Sequence, residues 1–254
     1  QICVLSNGLE TRLGAFNATY NHFFEWLKVN SEKERPDRQA LKEAGTVGES
    51  SVRYFIDGLL RKDRLVDYIE NFIMFRNQKN KIIAKNHQYF GVNNLMESVK
   101  NRAELQGKLG VFWHTQGSGK SFSMVFFARK VRRKIPGNFT FLIITDREDL
   151  DDQIHKNFVK TEVIGQKEEC QPKNGKQLRD YLQTNKSFIF TLIHKFRYDK
   201  GKKYPVLSTR DDIIVLVDEA HRTQYKDLAE NMRTALPNAN YIAFTGTPLL
   251  GSKR

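Results

Sequence analysis

Cysteine is nearly absent and proline is scarce: two cysteines, Cys3 and Cys170, and six prolines serve 254 residues. Neither cysteine belongs to a CxxC pair or stands near a histidine cluster, which excludes a disulfide framework and a zinc ribbon and fits a reducing cytoplasm. No apolar run approaches the roughly 18–20 residues that cross a bilayer, and none has the layout of a signal peptide, so no membrane partner is expected. There is no internal repeat and no low-complexity tract. Acidic residues are in deficit, 29 against 42 lysines and arginines, giving a formal charge of +13. Duplex DNA or RNA is the obvious anionic partner, because cationic side chains displace condensed counterions there. The same charge is also compatible with a basic surface kept for solubility, or with separation from an acidic remainder.

Hydrophobic residues make up 39% of the chain, enough for a real core in one large domain or two small ones. The sequence opens in a strand-like run, ICVLS, and stops shortly after another, an expectation of a piece of a longer polypeptide. Residues 1–30 read as a strand, a turn at Asn7-Gly8, and a further strand or helix end. Residues 31–50 are polar, with Pro36, Gly45 and Gly48, and read as a linker. From Ser51 to Phe75, apolar residues recur at helical spacing, predicting a small helical spacer. Beyond about Lys81, short runs rich in β-branched and aromatic residues alternate with helical segments. The runs are GVFWHT (110–115), FLIIT (141–145), FIFTL (188–192), IIVLV (213–217) and YIAFTGT (241–247). None alternates cleanly between apolar and polar, so each is expected to be buried on both faces of a parallel sheet. Strands alternating with helices indicate a doubly wound α/β sheet.

The run from Trp113 to Ser121, WHTQGSGKS, follows a predicted strand and opens a predicted helix, the context of a phosphate loop. Gly117 and Gly119 let backbone N–H groups turn inward around a phosphate, and the helix aims its positive end at the same place. Thr115, Ser118 and the rest of the loop line that cradle. Lys120 reaches the β- and γ-phosphates of ATP, and the Ser121 hydroxyl binds Mg²⁺. His114 stands where the full GxxxxGK[ST] pattern has glycine, which points to the looser helicase-type loop. After the strand IIVLV come Asp218 and Glu219. Asp218 is the expected Mg²⁺ partner, acting through water, and Glu219 is placed to polarise the attacking water. An acidic pair after a strand can also be no more than a helix cap.

Asp218-Glu219-Ala220-His221 resembles the DEAH form of the second helicase motif, and Thr245-Gly246-Thr247-Pro248 resembles the third. The run Thr145 to Leu150 with Gln153 resembles motif Ia, which touches the nucleic-acid backbone. Together these resemble superfamily 2 helicases and translocases, implying a RecA-like first motor domain over residues 81–254. The resemblance implies that Thr145, Arg147, His221, Thr245, Gly246 and Thr247 couple nucleotide state to DNA.

A closer resemblance is to the restriction subunit of type I restriction-modification enzymes, carried by WHTQGSGKS, ITDREDLDDQ, VDEAHRTQY, FTGTPL and KIIAKNHQYFGV (81–92). Gln88 occupies the place of that family's adenine-reading glutamine, whose side chain offers both a donor and an acceptor. The segment VLSNGLETRLGAF, with HFFEW, resembles the end of that subunit's α/β nuclease domain. The resemblance implies ATP-dependent translocation of double-stranded DNA coupled to endonucleolytic cleavage, beside methylation and specificity subunits, in a bacterial or archaeal cytoplasm. It implies too that the nuclease's metal-binding Asp and Glu-x-Lys pair precede Gln1 and that the second lobe follows Arg254. Glu10, Glu25 and Lys28 lack that spacing, and Glu25 and Lys28 read as surface charges beside Phe24 and Trp26. A helicase without a nuclease, or a decayed scaffold that binds DNA by charge, shares most of these features. The basic run 129–134 reads as a solvated helix end or a contact to DNA backbone.

Overall fold

A computed structural model describes residues 2–7, 10–31, 33–34, 51–115, 117–198, 204–218 and 226–246. The chain divides into two compact units, Gln1–Asn94 and Leu95–Arg254.

The first unit is built from antiparallel hairpins and helices. Strands β1 (Ile2–Ser6) and β2 (Thr11–Ala15) pair antiparallel, Ile2 opposite Ala15, and β3 (Phe24–Glu25) adds to β2. Helices α1 (Ser51–Leu59) and α2 (Lys62–Asn71) follow, then the hairpin β4 (Ile73–Arg76) and β5 (Asn80–Ile83). The helical spacer therefore ends earlier than its periodicity predicts. Ile73 and Phe75 lie on a strand, because the left-handed residues Asn77 and Gln78 turn the chain back on itself. An aromatic cluster holds this unit together: Trp26 is 1% exposed and packs edge-on to Tyr68 and Tyr89, and Phe72 meets Tyr89 at 4.7 Å. Gly58 approaches this cluster so closely that a Cβ there would lie 2.5 Å from Trp26 Nε1 and from the Lys28 carbonyl. Helix α3 (Asn86–Lys100) spans the division between the units.

The second unit contains a five-stranded parallel sheet: β6 (Lys108–Trp113), β7 (Thr140–Thr145), β8 (Phe188–Leu192), β9 (Ile213–Asp218) and β10 (Asn240–Thr245). Its order is β6-β10-β9-β7-β8. Between the strands run α4 (Lys120–Lys134), α5 (Glu148–Lys160), α6 (Gly175–Gln183) and α7 (Lys226–Ala235). Both faces of the sheet are covered. Leu142 and Ile144 of β7 and Ile189 of β8 join Leu178 and Leu182 of α6 and Met232 of α7 on one face. Phe141, Phe188 and Phe190 turn the other way, towards Phe127 of α4 and Phe158 of α5. This is the doubly wound α/β architecture that the alternating pattern predicts.

Two local expectations need correction. Strand β6 is not buried on both faces: it is an edge strand, and Val111 and Trp113 are exposed. An edge strand lacks the covering that the inner strands receive, and its apolar sequence does not distinguish the two positions. A register shift against β10 skips Leu109, and Gly110 takes φ 125° there, a conformation that disfavours any side chain. The basic run 129–134 is not a uniformly solvated helix end either. Lys130 is buried, Arg129 is half-buried with its basicity lowered by that burial, and the Arg132 guanidinium lies over the Phe188 ring. Only Arg132, Arg133 and Lys134 are exposed.

Two helix starts and one helix end have a clear local cause. Helix α5 begins after extended Arg147 and carries Glu148, Asp149 and Asp151 in its first turn, where the positive end of the helix favours acids. At α6, the Asn174 side chain accepts from the Gln177 N–H and Gln177 Oε1 accepts from the Lys173 N–H, two reciprocal caps. Helix α4 stops at Ile135, just before Pro136.

Candidate nucleotide site

All five strands of the sheet run parallel, so their carboxyl ends lie along one edge. Register fixes the row: Thr245 of β10 stands opposite Trp113 of β6, Phe244 opposite Asp218 of β9, and Thr145 of β7 opposite Leu192 of β8. The phosphate-loop sequence leaves β6 at this edge, and Asp218 ends β9 at the same edge, with β10 between them. With neighbouring strands about 4.8 Å apart, Phe112 and Asp218 are separated by about 10 Å of backbone. Loops at the carboxyl edge of an open parallel sheet are where such folds receive ligands.

In the loop itself, Gly117 and Gly119 adopt φ 79° and 88°, left-handed values that glycine tolerates and L-side chains rarely do. A Cβ built on Gly117 meets nothing within 4 Å, so the space over the loop is open. The Ser118 N–H donates to the Thr115 carbonyl at 3.1 Å, closing the turn, and helix α4 begins at Lys120 with Gly119 as its cap. The first-turn amides of a helix have no helical carbonyl to meet and point out of its start. Thr115 and Gly117 are exposed, and Ser118, Gly119, Lys120 and Ser121 are half-buried, as is Asp218. The residues at or just beyond these strand ends supply an ammonium, a serine hydroxyl, a carboxylate and backbone amides, a donor set whose chemistry suits a triphosphate and a hard, oxygen-seeking divalent cation such as Mg²⁺.

The candidate coupling residues adjoin this edge. The His114 N–H donates to the Thr245 carbonyl, and Trp113 Nε1 donates to the Gly246 carbonyl, both at 3.2 Å. The His114 ring sits edge-on to Phe112 at 4.4 Å, and Phe112 meets Phe244 at 4.8 Å. The start of the phosphate loop is thus bonded directly to the strand end that carries Thr245 and Gly246. Thr145 is buried and its hydroxyl donates to the Arg147 carbonyl. Arg147 is exposed and forms a two-pronged pair with Asp149, at 2.8 and 3.1 Å. Glu219, His221, Thr247 and Pro248, with Gln116 of the loop, lie outside the described residues.

Gln88 lies in the first unit and is 5% exposed, not a surface residue. Its Oε1 accepts the Lys85 N–H at 2.9 Å, which caps the start of α3. Glu25 and Lys28 are half-buried rather than exposed surface charges. They line a cavity of about 590 Å³ in this unit with Arg12, Phe24, Lys85 and His87.

Sequence reasoning missed several polar groups. Asn157 of α5 is buried and its Nδ2 donates to Ser121 Oγ at 3.1 Å. Asp151 and His155, one turn apart on the same helix, are drawn into the interior. Burial pushes the Asp151 carboxyl up to about 6, opposed by the 2.8 Å hydrogen bond from Gln171, and burial lowers His155. Only the position of Asp151 inside the motif Ia segment could have flagged it. Among the described residues, no group of three His, Cys, Asp or Glu is placed to hold a metal ion, and no helix is long and apolar enough to cross a membrane.

The fold is that of a RecA-like α/β lobe, with a phosphate-loop sequence at the carboxyl edge of its parallel sheet. The SWI2/SNF2 ATPase family profile matches residues 87–254, about two thirds of the chain, and the chain belongs to that family. Its similarity runs further to the Type I restriction enzyme HindI endonuclease subunit of Haemophilus influenzae, 36% identical over 98% of this chain and 25% of the relative. A putative type I restriction enzyme endonuclease subunit of Methanocaldococcus jannaschii, MjaIXP, is 34% identical over the same shares. The chain spans about a quarter of the length of these relatives. In fold, it resembles the UvsW helicase from bacteriophage T4, with a TM-score of 0.51 at 13% identity, over 92% of this chain and 76% of that one.

Proposed function

We propose that this chain carries the phosphate-loop lobe of an ATP-driven translocase of double-stranded DNA, within the motor and nuclease subunit of a type I restriction enzyme. The observation that supports it most is the meeting of the WHTQGSGKS loop and Asp218 at one sheet edge, with the Thr245 strand between them. In this reading Lys120 and the amides of residues 117–121 hold the β- and γ-phosphates of ATP, and Ser121 and Asp218 hold Mg²⁺, Asp218 through water. Mg²⁺ supplies charge neutralisation across those phosphates. Glu219 orients and deprotonates the attacking water for in-line displacement at the γ-phosphate, with ADP leaving. Gln88 reads the adenine edge.

In the same reading Thr245, Gly246 and Thr247 sense nucleotide state, His221 relays it, and Thr145 and Arg147 act at the DNA backbone. Arg147 reaches a phosphate by exchanging its exposed pair with Asp149, an inexpensive step for a solvated ion pair. By function the chain divides into the end of the nuclease domain (1–30), a linker and helical spacer (31–80) and the first motor domain (81–254). The compact units cut across that division because α3 runs on from the Gln88 segment into the second unit. The similarity to endonuclease subunits of a bacterium and an archaeon supports methylation and specificity subunits as partners, in the cytoplasm of such a cell.

The direct test is Lys120→Ala in the full-length subunit. ATP hydrolysis is expected to fall by at least about 10²-fold, as when one charge-stabilising donor is removed from a transition state, and translocation with it. Hydrolysis at the wild-type rate would show that the loop is not the phosphate site.

A further inference from the structure

We infer that Asn157 is a positioning residue for the phosphate loop, and that its amide sets the direction of the Ser121 hydroxyl and ties it to helix α5. The inference rests on the reading of Ser121 as a Mg²⁺ ligand.

Asn157 is 6% exposed and ten residues beyond Arg147, so its side chain acts about 15 Å along the helix from the motif Ia end. Its Nδ2 donates to Ser121 Oγ at 3.1 Å. A serine hydroxyl has two lone pairs and one hydrogen. The Asn157 donor takes one lone pair, which leaves the second for a cation and the hydrogen for a separate acceptor.

Without that donor, a serine in the first turns of a helix has a competing option. Its hydroxyl can fold back onto the carbonyl four residues earlier. Ser123, two residues along the same helix, does this, with Oγ donating to the Gly119 carbonyl at 3.4 Å. For Ser121 the residue four earlier is Gly117, which precedes the helix and its cap, and the Ser121 oxygen accepts from the Asn157 amide of α5 instead. The contrast between two serines on one helix is what points to a role for Asn157 beyond filling space.

Helix α5 is also built to transmit a displacement. Thr161 Oγ1 donates to the Asn157 carbonyl at 2.7 Å, and neighbouring Phe158 is locked between Phe188 and Phe190. Arg147 precedes the helix as its cap, and Glu148 and Asp149 lie in its first turn, just beyond the end of β7. A cation drawn to Ser121 therefore bears, through one hydrogen bond and one helix, on the segment proposed to touch DNA.

The test uses the full-length subunit and a fluorescent ATP analogue, titrated with Mg²⁺ and again in EDTA. Asn157→Ala is expected to raise the Mg²⁺ concentration at half-maximal binding about tenfold, the scale on which outer-shell partners act on metal affinity. Binding in EDTA should move less than about twofold, because the phosphates still meet Lys120 and the loop amides. Asn157→Asp keeps the shape and lacks the N–H donor, so it should behave like the alanine variant, and it decides the matter if alanine fails to fold. Hydrogen exchange gives a second readout. Mg²⁺ with nucleotide should slow exchange across residues 147–160 in the wild type and not in either variant. An unchanged Mg²⁺ requirement, or an aspartate variant indistinguishable from wild type, overturns the inference. Lys120→Ala in the same titration separates the two claims. If it binds normally, the phosphate-loop reading has failed; if it loses binding while the Asn157 variants do not shift, only this inference has.

Discussion

The two units use strands in opposite ways, and the difference explains where chemistry can gather. In Leu95–Arg254 every strand of the sheet points the same way, so residues far apart in sequence, Lys120 and Asp218, follow strand ends on a single edge. In Gln1–Asn94 the hairpins β1–β2 and β4–β5 alternate direction, and their ends scatter to both sides. That unit invests its large side chains in an aromatic cluster instead, Trp26, Tyr68, Phe72 and Tyr89. Its polar residues serve the fold locally: Tyr68 donates to the Ala84 carbonyl, and Arg64 donates to the carbonyls of Val29 and Gly58. A parallel sheet collects a site; an antiparallel one builds a brace.

The strongest way to break this contrast is to remove the centre of the brace. Trp26→Ala deletes a side chain that is 1% exposed and strands its hydrogen bond to the Lys28 carbonyl. Unfolding followed by denaturant should show a loss of about 3–5 kcal/mol in the transition of the first unit. A loss below about 1 kcal/mol would mean that the cluster is not what holds that unit together.

A smaller effect, of opposite sign, sharpens the contrast from the other side. Asp151 is a carboxyl drawn into the interior beside the sheet, with a pKa pushed up to about 6 by burial. Its folded-state value lies above the ordinary carboxylate range, so the folded protein holds the proton more tightly than the unfolded chain does. Stability from this group is present at acidic pH and is lost as pH rises through about 6. Asp151→Asn keeps an acceptor for Gln171 and removes the charge, and should raise stability by about 1–3 kcal/mol at neutral pH. That advantage should vanish near pH 4 or below, where both forms are neutral (about the unperturbed carboxylate pKa). Thermal melts at the two pH values check it, and a pH-independent gain would remove the electrostatic cause.

The smallest effect concerns Gln88, which serves the fold in the first unit and is proposed to read adenine as well. Gln88→Ala should cost about 1 kcal/mol through the lost cap on α3. Preference for ATP over GTP in hydrolysis should also fall, by up to about tenfold for one hydrogen bond. Lost stability with unchanged preference would reduce Gln88 to a helix cap.

These regions are also unequally legible in the sequence. All five strands of the sheet announce themselves as short β-branched and aromatic runs, with ends within two residues of those observed, because buried parallel strands need little else. Their order was not legible. Nothing in YIAFT says that β10 inserts between β6 and β9, since lateral order depends on how the helices pack. For the same reason the apolar content of β6 suggested an inner strand, and Val111 and Trp113 proved to lie on an open edge. The turn proposed as the phosphate loop was legible because its two glycines and its lysine fall within four residues, Gly117 to Lys120. Asn157 was not, because its link to Ser121 exists only where α4 and α5 pack together. In the first unit, helical periodicity ran past Asn71 into residues that the tight turn at Asn77 and Gln78 folds into a hairpin.

The central claim is that Ser121 and Asp218 serve one metal-bound nucleotide at the shared sheet edge, and a double-mutant cycle tests it most directly. Mg²⁺-dependent binding of an ATP analogue would be measured for the full-length subunit as wild type, Ser121→Ala, Asp218→Asn and the pair. The account predicts a coupling of at least about 1 kcal/mol, since the second substitution has little left to remove once the first has spoiled the cation site. Effects that simply add, to within about 0.5 kcal/mol, would contradict it and leave the two residues in separate places.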